Sequence, residues 1–266
     1  MAVLLIVPAR FASSRFPGKP LVPLRGAGGE ARSLLRRSWD AARAVPGIDR
    51  VVVATEDGRI RDHAEAFGAE VVMTSDRPRN GTERCAEVLD ALGGAWEAVV
   101  NLQGDAPLTP PWFVPPLLAA LAADPAAALA TPVLRMEGRM LAQFRADRRA
   151  GRVGGTTCVR GRGGRALYFS KEVLPFGAPD AAEGALSAAL HHVGLYAYRP
   201  EALQAYRGWE PGALESAEGL EQLRFLERGA VVLAVEVEAR GQPFWEVNNP
   251  EDVPRVEALL AQSGMP

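Results

Sequence analysis

Short apolar runs alternate with amphipathic segments through the first half of the chain, and this alternation restricts the fold more than any other feature of the sequence. Val3–Val7, Val51–Thr55, Glu70–Thr74 and Ala98–Gln103 read as strands, apolar on both faces. Between and after them, Ala31–Ala44, Gly58–Phe67, Gly81–Leu92 and Pro111–Ala122 carry helical patterning, the last opening with a proline that suits a first helical turn. Strands that are apolar on both faces must be covered on both, which predicts an α/β fold: a mostly parallel, Rossmann-like sheet layered by helices.

After about Ala127 the rhythm changes. Thr156–Arg160, Arg165–Ser170 and Gly194–Tyr198 read as strands separated by Gly- and Pro-rich turns, which predicts a smaller β-rich inserted subdomain. A helix over Leu214–Glu227, a strand over Ala230–Val237 and a helix over Pro250–Gln262 then return the chain to the core. The expected organisation is a core over residues 1–133, a smaller β-rich subdomain over 134–212, and a return to the core over 213–266.

Composition excludes several classes. With 30 Lys+Arg against 32 Asp+Glu the net charge is −2, so no overall positive field supports nucleic-acid binding. Two cysteines, Cys85 and Cys158, supply neither a disulfide framework nor a four-cysteine zinc site. The opening Ala2–Val7 run lacks a basic segment before it, and no stretch reaches the roughly 20 apolar residues that span a bilayer. A cytoplasmic protein without membrane or nucleic-acid partners is expected.

The most informative segment follows the first strand, Pro8-Ala-Arg-Phe-Ala-Ser-Ser-Arg-Phe-Pro-Gly-Lys-Pro-Leu21. Ligands of open α/β sheets bind at the carboxyl ends of the strands. There this loop offers Arg10, Arg15, Lys19, the hydroxyls of Ser13 and Ser14 and the amides around Gly18, with no acidic residue from Pro8 to Arg25. Fixed cations and N–H donors suit a polyphosphate, although taken alone the loop also reads as a solvated basic segment. It is neither a Walker loop nor a dinucleotide fingerprint.

What remains resembles the signature loop of the sugar-nucleotide cytidylyltransferases, above all the 3-deoxy-manno-octulosonate cytidylyltransferase (CMP-Kdo synthetase) family. The resemblance continues in register through Val53-Ala-Thr-Glu-Asp57, Asn80-Gly-Thr-Glu-Arg84, Asn101-Leu-Gln-Gly-Asp-Ala-Pro107, Ala166-Leu-Tyr-Phe-Ser170, His192–Arg199, Leu220–Arg224 and Val247–Asp252. It implies transfer of CMP from CTP to an acidic 3-deoxy-ulosonic sugar with release of pyrophosphate, dependent on Mg²⁺, by a homodimer. It further implies Arg10, Lys19 and Asp105 as catalytic residues. Pro8, Ala9, Arg10, Ser13, Ser14, Arg15, Lys19, Thr55, Asn80, Gly81 and Gln103 would bind nucleotide. Arg84, Tyr168, Lys171, His192, Glu218 and Gln222 would bind the sugar, and Asp105 and Asn248 the metal.

Local readings stand beside these roles. Asp105 also reads as a turn before Pro107, with Gly104 leaving room for a ligand near the backbone; Asn80–Arg84 also reads as a capped helix start. His191 and His192 also read as a structural pair, and Glu218 as the wet face of a helix packed through Leu220, Leu223 and Leu226. Tyr206 and Trp209 mark a candidate contact region for a dimer.

The chain departs from the family pattern at Asn248, where the second metal carboxylate is expected, and at Ala106, Thr157, Lys171 and Gly177. Two other readings therefore stay open on sequence alone: a non-catalytic nucleotide-binding relative, and a cytidylyltransferase for a different acceptor, such as those of terpenoid synthesis.

Overall fold

The structure is a computed structural model and describes residues 1–265 apart from 14, 154, 178–184 and 243. Its described residues form two compact units, one of residues 1–115 and 239–266, the other of residues 116–238.

The first unit opens with β1 (Val3–Pro8), buried along its whole length as its uninterrupted apolar run requires. A short hairpin follows, β2 (Pro23–Arg25) paired antiparallel with β3 (Ala31–Ser33), and then α1 (Leu34–Arg43). The helix expected over Ala31–Ala44 thus starts three residues later, because Ala31–Ser33 is taken up by the hairpin. Ser33 then caps the helix by accepting from the Arg36 amide at 3.1 Å. Next come β4 (Arg50–Thr55), α2 (Gly58–Ala66) capped by Asp57, β5 (Val71–Met73), α3 (Gly81–Leu92) capped by Asn80, and β6 (Ala98–Leu102). β4 and β6 flank β1, β5 lies outside β4, and every pairing is parallel. Ile6 stands opposite Asn101 and Pro8 opposite Ala54, so the loops after β1, β4 and β6 emerge along one edge of the sheet.

The division between the units passes through α4 (Val114–Ala123). The second unit is built on β7 (Ala127–Glu137), followed by α5 (Gly138–Arg149), β8 (Thr156–Arg160), β9 (Ala166–Ser170), β10 (Leu186–His192) and β11 (Leu195–Tyr198). α6 (Pro200–Arg207), α7 (Ala213–Glu218), α8 (Leu223–Glu227) and β12 (Val231–Glu236) complete it. β7 pairs antiparallel with β10 and β11 and parallel with β12; β8 and β9 extend the sheet beyond β10. The chain then returns to the first unit and ends in α9 (Asp252–Gln262), whose Val256 and Leu260 pack with Leu24, Leu34, Leu108 and Val247.

β7, α5, β10 and α6 are elements the sequence reading did not anticipate. The units divide at 115/116 and 238/239, where the reading placed boundaries at 133/134 and 212/213, because β7 and β12 are hydrogen-bonded to one another and stay together. The helix expected over Leu214–Glu227 is two short helices. Gly219, at φ 62°, ends α7 in the left-handed conformation that glycine adopts without strain.

Candidate active site

In the first unit the loop after β1 is organised around Phe11. Its carbonyl accepts from the amides of Ser13 and Gly18, each at 3.0 Å, and its ring lies 3.2 Å from where a Cβ on Gly18 would stand. Gly18 has φ 69° and leads into a 3-10 turn over Lys19–Leu21. This fold-back carries the Lys19 ammonium to within 2.6 Å of Asp105 Oδ2, while Arg15 reaches Asn248 Oδ1 at 3.3 Å. Arg10 is exposed beside them in sequence, and Ala9 is tied to β4 through the Ala54 carbonyl at 2.8 Å. Ser13 accepts weakly from the Phe16 amide, at 3.4 Å; Ser14 lies outside the described residues.

Asp105 follows β6, and its carbonyl accepts from the Val247 amide at 2.9 Å, which sets the Glu246–Asn248 segment alongside it. Gly104 does not leave space for a ligand as expected. A Cβ there would lie 2.6 Å from the Pro8 carbonyl oxygen, so the close approach is made by the protein's own β1. At the start of α3, Asn80 accepts from the Glu83 amide at 2.8 Å. Gly81 faces two side-chain amides: a Cβ on it would stand 3.0 Å from Gln103 Nε2 and 3.3 Å from Asn101 Nδ2. Asn101 is fully buried, and neither its Oδ1 nor its Nδ2 has a hydrogen-bond partner, an arrangement that favours a polar ligand or water at this helix start. The sequence reading gave this residue no role, although it stands two positions before Gln103, near the end of β6. Thr55 is buried at the end of β4 and accepts from the Asp57 amide.

Arg84, expected to contact the sugar, is only 4% exposed. It pairs with Glu56 at 2.8 Å and donates to the Thr74 hydroxyl and the Ser75 carbonyl. Burial pulls its pKa down, an effect opposed by Glu56.

In the second unit, Tyr168, Lys171 and Glu218 come together. Glu218 accepts from Ser170 Oγ at 2.6 Å, from the Lys171 amide at 2.8 Å and from the Tyr168 hydroxyl at 3.3 Å. Burial and the neighbouring carboxylate push the Tyr168 pKa up. The Lys171 ammonium lies over Gly219, 2.9 Å from where a Cβ would be, so the break between α7 and α8 makes room for it. Gln222 and His192 belong to a separate buried cluster. Gln222 accepts from the Tyr196 hydroxyl at 3.2 Å, and its Nε2 has no partner. His192 packs edge-on against Phe169, and its Nε2 lies 2.9 Å from Thr131 Oγ1. Since the Thr131 hydroxyl also donates to the Leu195 carbonyl at 2.8 Å, Nε2 of His192 is the protonated nitrogen. Burial drops the His192 pKa to about 3 and that of His191 to about 4.

The departures from the family pattern have structural counterparts. Thr157 is buried and its hydroxyl donates to the Glu172 carbonyl at 2.6 Å, which braces the segment after β9. Gly177 takes φ 72°, and Ala106 is fully buried. Tyr206, expected at a dimer contact, is instead fully buried against Phe225, with ring centroids 4.8 Å apart.

Asp105 and Asn248 present a carboxylate and an amide carbonyl, oxygen donors of the kind a hard cation takes. Both are engaged by cationic side chains of the loop, so the pair fits Mg²⁺ that arrives with phosphate oxygens to complete its shell. Among the described residues, no group of three or more His, Cys, Asp or Glu side chains is placed to hold a metal without such help.

The mostly parallel sheet with a cationic loop at its carboxyl edge is shared with the nucleotidyltransferases that the chain resembles, and the cytidylyltransferase family model matches residues 4–236. The 3-deoxy-manno-octulosonate cytidylyltransferase of Maricaulis maris is 44% identical over 99% of both chains. The mitochondrial enzyme of that name from Arabidopsis thaliana is 36% identical over 98% of this chain and 83% of its own. A solved structure of CMP:2-keto-3-deoxy-manno-octonic acid synthetase complexed with CTP superposes with a TM-score of 0.80 at 34% identity, covering 99% of this chain and 100% of that one. The chain belongs to the 3-deoxy-manno-octulosonate cytidylyltransferase (CMP-Kdo synthetase) family and is a nucleotidyltransferase enzyme.

Proposed function

We propose that the protein transfers CMP from CTP to 3-deoxy-manno-octulosonate (Kdo) and releases pyrophosphate, a step that supplies activated sugar for lipopolysaccharide synthesis. The observation that carries this reading is the 44% identity across 99% of both chains to an enzyme named for this activity.

In the reaction a sugar hydroxyl oxygen bonds to the α-phosphorus of CTP as the bond to the pyrophosphate oxygen breaks, and the hydroxyl proton passes to water. The protein has little covalent chemistry to perform, so positioning and charge neutralisation dominate. Arg10, Arg15 and Lys19 would bind the triphosphate, with Lys19 moving from Asp105 to a phosphate oxygen. Asn80, Gly81 and Gln103, with Thr55 and Ala9 behind them, would hold the nucleoside. Mg²⁺, held by Asp105 and Asn248, would neutralise charge developing on the leaving pyrophosphate. In the second unit, Tyr168, Lys171 and Glu218 would orient the acceptor, Lys171 by pairing with its carboxylate, while His192 and Gln222, buried in their own cluster, would take part only by supporting the sheet.

Both cysteines are free and buried, and among the described residues no helix is long and apolar enough to cross a membrane. We place the enzyme in the cytoplasm as a homodimer. Pyrophosphate release measured across the four nucleoside triphosphates and a panel of sugar acids tests the assignment. Turnover only with CTP and a 2-keto-3-deoxy acid supports it, and equal use of UTP or of neutral sugar phosphates overturns it.

A further inference from the structure

The Val53–Asp57 motif includes a largely buried carboxylate, that of Glu56, to which the proposed reaction gives no role. Glu56, one residue beyond β4, divides its carboxylate between two elements. Oε1 accepts from the Phe11 amide at 3.0 Å, and Oε2 faces the Arg84 guanidinium at 2.8 Å. Arg84 is itself buried in α3 and anchored to Thr74 and Ser75, so it holds the carboxylate in a fixed place. A buried guanidinium requires such a countercharge.

The ring of Phe11 is taken up by contacts within the protein, and the loop's contacts converge on this residue. Its carbonyl closes the turns to Ser13 and Gly18, its ring packs over Gly18, and the Arg59 guanidinium lies 3.4 Å from the ring centroid. Arg59 is held in turn by Asp57 at 2.6 Å. The backbone on either side of this residue carries Arg10 and, through the Gly18 turn, Lys19.

We propose that Glu56 is a positioning residue for the nucleotide: by holding the Phe11 amide it sets the loop from Arg10 to Lys19 in its binding shape before CTP arrives. The proposal rests on the CTP reading of that loop. Arg84 then acts as the anchor of Glu56. A loop ordered beforehand loses less conformational freedom on binding, so the effect appears in nucleotide affinity.

The test combines CTP titration calorimetry in the presence of Mg²⁺ with amide hydrogen exchange, on wild type and on Glu56→Ala, Glu56→Asp and Arg59→Ala. Glu56→Ala is expected to weaken CTP binding on the order of tenfold and to speed exchange across residues 10–19, the size set by loss of a hydrogen bond to a charged acceptor. Glu56→Asp, which keeps two acceptor oxygens, restores part of both. Arg59→Ala removes an exposed contact to the Phe11 ring together with the exposed ion pair to Asp57, and is expected to weaken CTP binding severalfold with little change in the melting temperature. A Glu56→Ala protein with a lowered melting temperature but wild-type CTP affinity and loop exchange overturns the proposal. If Glu56→Ala does not fold, Glu56→Asp decides, because its shorter side chain draws the carboxylate away from the Phe11 amide: wild-type CTP affinity and loop exchange in that variant overturn the proposal. Wild-type protein that fails to bind CTP, while Glu56→Ala still speeds loop exchange, contradicts the nucleotide reading and leaves Glu56 as a loop anchor only.

Discussion

The ammonium of Lys19 and the carboxylate of Asp105 form an ion pair 2.6 Å long between residues 86 positions apart, with side chains 12% and 28% exposed. Each provides the countercharge that a reaction on CTP would later take from elsewhere: phosphate for Lys19, a cation for Asp105. Replacing either residue therefore has separable consequences. Asp105→Asn is expected to abolish most Mg²⁺-dependent turnover without weakening CTP binding measured in EDTA. Lys19→Ala loses a charge-assisted phosphate contact, about 1.5–3 kcal/mol, and weakens CTP binding in either condition. Steady-state kinetics and calorimetry with and without metal distinguish the two. Full activity of Asp105→Asn at low Mg²⁺ would remove Asp105 from the metal site.

Asn248 accepts from Arg15 through its amide oxygen and has no formal charge to offer a cation. Asn248→Asp restores a charged oxygen ligand, so the Mg²⁺ concentration for half-maximal rate should fall. The measurement is a Mg²⁺ titration at saturating CTP. An active variant with an unchanged metal requirement would separate Asn248 from the ion that Asp105 holds.

These pairings also show what a linear reading can and cannot reach. β1, β4 and β6 were legible because each is a short apolar run with β-branched residues, the signature of a strand buried on both faces. β7 begins Ala-Ala-Leu-Ala-Thr-Pro, and β10 reads Leu-Ser-Ala-Ala-Leu-His-His; neither has the β-branched alternation that marks a strand, and tertiary pairing supplies the order instead. α5 buries only Leu141, Phe144 and Asp147, too sparse a stripe to stand out. In the site, the cations of the first loop were visible as charge without countercharge. Their partners were not: Glu56 lies 45 residues from Phe11, and the burial of Arg84 and His192 depends on the packing of strands and helices distant in sequence.

Arg224 and Glu215 form a doubly hydrogen-bonded pair, both contacts 2.6 Å, with the guanidinium 4.0 Å from the Tyr206 ring centroid. Arg224 is 1% exposed, so removing its partner leaves a buried charge uncompensated. Glu215→Ala should destabilise the fold by about 3 kcal/mol or more, read as a shift in the urea unfolding midpoint. A change below about 1 kcal/mol, the range of an exposed pair, would mean that water reaches the guanidinium.

His191 and His192 resist protonation in the folded state, with pKa values of about 4 and about 3, because burial penalises the charged ring. In the unfolded chain each takes up a proton near pH 6.5. As pH falls from there toward 4, the unfolded state binds more protons and stability declines by roughly 1 kcal/mol per pH unit per histidine. The stabilising contribution is complete above pH 6.5. Urea unfolding between pH 7.5 and 4.5 should show this slope, and His191→Gln should make it shallower; an identical slope in the variant would contradict the burial of a neutral ring.

The most direct measurement of the central claim is ³¹P NMR of the protein incubated with CTP, Mg²⁺ and Kdo. The expected result is loss of the three CTP resonances with growth of one phosphodiester resonance, from a CMP–sugar product, and equimolar pyrophosphate. An unchanged CTP spectrum from folded protein that binds CTP would contradict the assignment and mark the chain as a nucleotide-binding relative without this activity.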